Sequence, residues 1–128
     1  TMSTPYDPTI LTRRTAQDLS AQAYRLVNSS GDNDMVLAGA GGVAIGALTN
    51  DVADGSTTAV FLPVQVGGVI KAVCAGVGGI AAGAAATSDA TGAAVAAGAG
   101  DRVFGIALED HVAGDIGSFL VANGGQLN

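Results

Sequence analysis

Apolar residues in this chain come in short runs that alternate with polar positions or glycine, and turn-forming clusters interrupt them before three helical turns can accumulate. The pattern predicts strands. In QAYRLVN, residues 22–28, Tyr24 and Leu26 fall on one face and Ala23, Arg25 and Val27 on the other, as in a half-buried strand, and SSGDND reads as the turn after it. Further strands are expected near Met35 to Ala38, Val43 to Leu48, Thr57 to Val66 and Val69 to Ala75, with Gly67 and Gly68 as a two-residue hairpin connection. Pro63 cannot donate to a ladder, so its strand is expected at an edge or bulged. The Ala-rich stretch from Ile80 to Gly100 is cut by Gly83, Gly92, Gly98 and TSDAT, which favours a loose hairpin over a helix: Ala84 to Ser88, a turn at Asp89 to Gly92, and a return through Ala93 to Ala97. RVFGIAL and GSFLVA supply two last strands. Residues 1–16 are polar and without periodicity, and read as an extended N-terminal arm on a single β domain spanning 17–128.

Composition sharpens this picture. Leu, Ile, Val and Phe make up about a quarter of the 128 residues and Ala plus Gly roughly another third, while Trp is absent, so the core is built from small pieces. A chain of this length supports one domain. The net charge of −6, with Arg13, Arg14, Arg25, Lys71 and Arg102 as the five cations, argues against nucleic acid and against an anionic membrane surface. The most apolar window, Gly67 to Ala86, carries Lys71 and is mostly Gly and Ala, which does not suit a membrane span. Cys74 is the single cysteine, so an intrachain disulfide and a thiolate metal cluster are excluded, and a small buried hydrophobe is expected there.

Four stretches raise the question of chemistry. Gly39, Gly41 and Ala44 fit the G-x-G-x-x-G/A spacing of a nucleotide-binding turn, which would make a small ligand- or nucleotide-binding β domain the alternative function. That motif needs a helix to follow, and TNDVADGST instead supplies turn formers; the next strand, AVFLPVQV, has no acidic residue for a ribose. Glu109, Asp110 and His111 are contiguous, whereas catalytic groups converge from separate segments, so a solvated turn is expected and neither a catalytic nor a metal site is assigned. Lys71 in GGVIKAV lacks the flanks of a biotinyl or lipoyl carrier lysine. LTNDVADG, from Leu48, and LEDHVAGD, from Leu108, share Leu, Val and Ala at equal offsets, as one hairpin design used twice would.

Taken in order, DLSAQAYRLVN, VLAGAGGVAIGALTNDVADG, AAGAAATSDATGAAV and GDRVFGIALEDHVAGD resemble the small cement or decoration proteins of tailed bacteriophage capsids, over roughly Ala16 to Val121. The resemblance implies an all-β, compact, small β-barrel or β-tulip-like domain that is not an enzyme and uses no cofactor. It also implies a homotrimer on the outer surface of a phage head, at three-fold and local three-fold axes, clamping adjacent copies of the major capsid protein. TMSTPYDPTILTRR lacks a basic start followed by an apolar stretch, so synthesis in the host cytoplasm is expected. Within the arm, Tyr6, Ile10 and Leu11 are the candidate apolar anchors and Arg13 and Arg14 the paired cations for contact with a capsid subunit or a neighbouring copy.

Overall fold

The computed structural model describes residues 9–15, 19, 22–30, 34–49 and 61–127. Among these, ten strands and no helix are found: β1 Thr9–Thr15, β2 Leu26–Ser30, β3 Asp34–Leu37, β4 Gly46–Leu48, β5 Phe61–Gly67, β6 Val69–Val73, β7 Ala85–Ser88, β8 Ala94–Ala96, β9 Arg102–Ala107 and β10 Ile116–Leu127. The all-β expectation holds. The first five strands pair round a closed ring in the order β1-β3-β2-β4-β5, and the last five form a second sheet, β6-β10-β9-β7-β8, whose outer strands are linked by an isolated parallel bridge, Cys74↔Ala94. The molecule is therefore a small five-stranded ring against a five-stranded sheet, and not one barrel.

Burial follows from this arrangement. Val27, Met35, Leu48 and Val64, one from each of β2 to β5, are fully buried inside the ring together with Leu19. Their sequence neighbours Leu26 and Ala47 point the other way, and pack with Ile70, Ala72, Cys74, Phe104 and Phe119 between ring and sheet. Strands buried on both faces read as continuous apolar runs, which is why GAL and LV carry no alternation. Phe119 lies at the centre of the second core, with the Phe104 ring 5.1 Å and the His111 ring 5.3 Å away.

Five sequence expectations are corrected. Thr9–Thr15, expected within an extended N-terminal arm of residues 1–16, is β1: it runs antiparallel to β5 from Arg14↔Phe61 to Thr9↔Gly67, and parallel to β3 at Arg14↔Asp34 and Thr15↔Met35. Backbone hydrogen bonding needs no apolar pattern, so a polar segment can close a ring that its own side chains do not announce. Tyr24, expected inside a strand, lies in a turn at φ +62°, its N–H bonded to Leu48 O at 2.9 Å and its carbonyl to Val73 N–H at 2.9 Å. Only Gly46–Leu48 of the Val43 to Leu48 run forms a strand. Gly67 and Gly68 do not make a hairpin: both sides of β5 are occupied by β1 and β4, so the chain crosses there to the other sheet. Gln65 staples the crossing, its Nε2 donating to Gly67 O at 3.2 Å and Val69 O at 2.7 Å. His111, expected in a solvated turn, is the fifth: it is buried against Phe119. Pro63 pairs with Thr12 of β1, and the ladder from β4 covers only Val64 and Gln65 of β5 among the described residues.

The predicted Ala-rich hairpin is present, with Ala86↔Ala96, Thr87↔Val95 and Ser88↔Ala94 in register. Asp89 organises its turn: its Oδ1 accepts from Thr91 N–H at 2.8 Å, Thr91 Oγ1 at 2.7 Å and Ala93 N–H at 3.0 Å. Burial by itself would raise this carboxyl's pKa, but those hydrogen bonds and the Arg25 charge outweigh it and hold the value below the ordinary one. A depressed folded-state pKa means that the contribution is fully present above the unfolded value, about 3.9, and is lost as pH falls through the folded one. Asp89→Ala is therefore expected to cost about 1–2 kcal/mol near neutral pH. The gap from wild type, followed by urea unfolding, should close in strong acid; a gap that does not change with pH would assign the loss to packing instead.

Candidate interaction surfaces

The five residues singled out for contact are placed unequally. Tyr6 lies outside the described residues. Ile10, Leu11, Arg13 and Arg14 are rungs of β1 on either side of Thr12, opposite Gln65, Val64, Leu62 and Phe61 of β5. The backbone there is committed to the ring, so these residues belong to the domain as well as to any contact they make.

The glycine turn is built for internal bonding. Gly41 N–H donates to Ser88 O at 2.9 Å and Gly42 N–H to Gly39 O at 3.1 Å, so the amides that would cradle a phosphate are already used. No helix follows, the chain passing directly to β4. Gly41 has φ +63°, and a Cβ there would run into the Asp101 carboxylate, a charge that opposes a pyrophosphate. The structure thus turns against the nucleotide-binding alternative at this turn.

His111 departs from the solvated turn expected for it. Glu109 and Asp110 are exposed, but His111 is buried against Phe119 and forms a two-way backbone bridge with Ile80, at 2.8 and 2.9 Å. Its Nε2 lies 3.2 Å from Ser118 N and 3.4 Å from Ser118 O, so the ring tautomer sets whether it accepts from the one or donates to the other. The imidazole is a plug in the sheet. Cys74 is buried as expected, and burial pushes its thiol pKa up, the Asp115 charge adding to this and a Gly117 backbone hydrogen bond opposing it. Among the described residues no three His, Cys, Asp or Glu side chains are grouped to hold a metal. In the second copy of the internal echo, Asp115 Oδ2 accepts from Val112 N–H at 3.0 Å and Asp110 Oδ1 from Ala82 N–H at 2.8 Å; most of the first copy lies outside the described residues.

The feature that sequence reasoning missed is the outer face of the second sheet. Ile116 and Leu120, each 49% exposed, alternate with buried Gly117 and Phe119 along β10. Their cross-strand neighbours on the same face are Val73 and Val69 on β6 and Ile106 on β9, with Leu108, 48% exposed, just past the end of β9. Lys71 and Ser118, opposite one another, are the polar pair in this apolar field. The signal was present in GSFLVA, where apolar residues occupy both alternating sets.

No protein family matches the chain, and no curated protein sequence matches it. Among solved structures, the crystal structure of the head fiber gp8.5 N base in bacteriophage phi29 is similar, with a TM-score of 0.70 and 20% identity, over 95% of this chain and 100% of that one. What the two chains share is the fold, taken nearly end to end.

Proposed function

We propose that this protein is a structural, non-enzymatic component of a bacteriophage virion that binds the outer surface of the head and strengthens contacts between major capsid subunits. The observation that carries this reading is the full-length match in fold to a head fiber base. Two further features support it. The exposed apolar face around Ile116 and Leu120 offers a docking surface of the kind that subunit contacts bury. The acidic composition disfavours an approach to packaged DNA. In this reading the protein acts as a homotrimer at three-fold and local three-fold axes, and residues Tyr6, Ile10, Leu11, Arg13 and Arg14 contribute contacts. It adds buried area across joints between capsid subunits, and so raises the work needed to separate them.

The test is sedimentation of the purified protein with undecorated phage heads. Because Thr9–Thr15 closes the ring, a deletion that probes the N-terminal segment without breaking the fold stops at residue 8. Removing residues 1–8, and Tyr6 with them, is expected to leave the β spectrum intact and to weaken head binding at least tenfold. Unchanged affinity would assign the interface to the β domain alone, and failure of the intact protein to sediment with any head would overturn the proposal.

A further inference from the structure

β6 is an outer strand of the second sheet, and two hydrogen bonds fix which of its backbone groups face its neighbour β10. Cys74 N–H donates to Asp115 O at 2.7 Å, and Val121 N–H donates to Gly68 O at 3.0 Å. Bonded rungs of an antiparallel pair recur at every second residue. With the register running from Ile116↔Val73 to Leu120↔Val69, Ile70 and Ala72 turn their N–H and C=O groups toward β10. Val69, Lys71 and Val73 turn theirs away, toward the ring. Val69 O accepts from Gln65 Nε2 at 2.7 Å, and Val73 N–H donates to Tyr24 O at 2.9 Å. Between these two closed positions, the N–H and C=O of Lys71 have no partner among the described residues.

This open rung borders a cleft of about 220 Å³ between ring and sheet. Its apolar lining includes Leu48 and Ile70, and its polar groups come from Tyr24, Thr49, Gln65 and Lys71. At about 30 Å³ of liquid volume per water, the space equals roughly seven waters, smaller than a site for a drug-sized ligand and suited to one residue of an extended chain. The Lys71 ammonium and the Tyr24 hydroxyl have no partner among the described residues, in a chain whose net charge is −6. Tyr24 holds a left-handed backbone that is strained for a residue with a side chain, and its two backbone bonds to Leu48 and Val73 fix it beside the cleft. Strained residues of this sort concentrate where ligands are clamped.

We propose that this cleft receives one residue of an extended acidic peptide segment of a partner protein. The peptide backbone enters the cleft and completes the Lys71 rung, one N–H donating to Lys71 O and one C=O accepting from Lys71 N–H; the residue opposite Lys71 then sends its side chain to the same outer face of the sheet as Lys71, where an Asp or Glu meets the ammonium. A donor and an acceptor side by side on a strand edge complement a peptide backbone, whereas a small anion would leave the Lys71 carbonyl unmatched. The inference goes beyond the reading as a head protein and does not rest on it.

The test uses the full chain and the capped peptide acetyl-Ala-Val-Asp-Val-Ala-amide, followed by amide chemical shifts. Saturable shifts centred on Tyr24, Thr49 and Lys71 are expected, with Kd near 1 mM as befits one rung and one ion pair. Replacing the peptide's Asp by Lys, methylating its Asp nitrogen, or introducing Lys71→Gln should each weaken binding about tenfold, and added salt should weaken the intact pair. Lys71→Gln removes an exposed charge with no partner among the described residues, so its unligated spectrum should match wild type away from β6. Absence of saturable shifts, equal binding of the lysine peptide, or equal binding of acetate alone would overturn the proposal.

Discussion

Phe119→Ala is expected to lower the unfolding free energy by about 3–5 kcal/mol, the range for truncating a buried aromatic ring. Phe119 has no exposed surface and lies opposite Ile70 on one side and Ala107 on the other, with Phe104 and His111 stacked at a tilt against it. Most of the remaining residues of that core, among them Ala38, Ala47, Ala72, Ala86 and Ala94, are alanines. An alanine methyl is tied to the backbone and cannot rotate into a void, so the cavity would stay open. Against a typical total stability of about 5–15 kcal/mol, the variant should be close to unfolding at 37 °C. Phe119→Leu should recover part of the loss. Equilibrium urea unfolding measures both, and a loss below about 1 kcal/mol for the alanine variant would mean that the ring can be replaced by collapse of its neighbours.

Gly46→Ala is expected to cost about 3 kcal/mol, at the upper end for overpacking. β4 approaches β5 so closely at Gly46 that a Cβ would overlap the Gln65 carbonyl oxygen, with the Gln65 carbonyl carbon at 2.9 Å and Val64 Cγ1 at 3.0 Å. The obstacle is backbone that is itself paired to β1 and β4, so relief requires the ring to widen. The Gln65 bond to Val69 O would move with it. The variant should therefore lose thermal stability and show amide shifts in β5 and at Val69, both far smaller in Ala47→Gly. A melting temperature equal to wild type would show that β4 can slide away from β5 without loss.

The sequence disclosed strands more readily than their partners. The Asp89 hairpin was legible because turn chemistry and strand composition are adjacent there, and every bond that stabilises the turn is local. β9 and β10 were legible through dense Phe, Val, Ile and Leu. β1 was not, since TILTRRT enters the ring through backbone pairing with residues 61–67, which no local pattern records. The Gly67 and Gly68 corner misled for the opposite reason: a short glycine connection signals a hairpin only when the two flanking strands have free edges for each other. Of the contact residues named from the sequence, Ile10, Leu11, Arg13 and Arg14 proved to lie in β1, while the Ile116 and Leu120 face went unnoticed because alternation was sought as apolar against polar. The Lys71 rung is invisible to sequence, being the product of three strands and a turn.

The ring closed by β1 and β5 has a consequence for the birth of the protein. Its first strand waits for its fifth across about fifty residues, which takes roughly 3–10 s of synthesis at 5–20 residues per second. During that interval the nascent chain holds an unmatched strand edge, and the chain-closure entropy for the ring is met all at once when Phe61 to Gly67 arrive. The second sheet faces a similar delay, because among the described residues the ladder partner of β6 is β10, which follows it by about forty residues. Folding is therefore slow for its size, in the millisecond-to-second range of non-local β topologies. Crowded synthesis at high copy number would then compete with edge-to-edge aggregation, a kinetic hazard that the finished fold does not display.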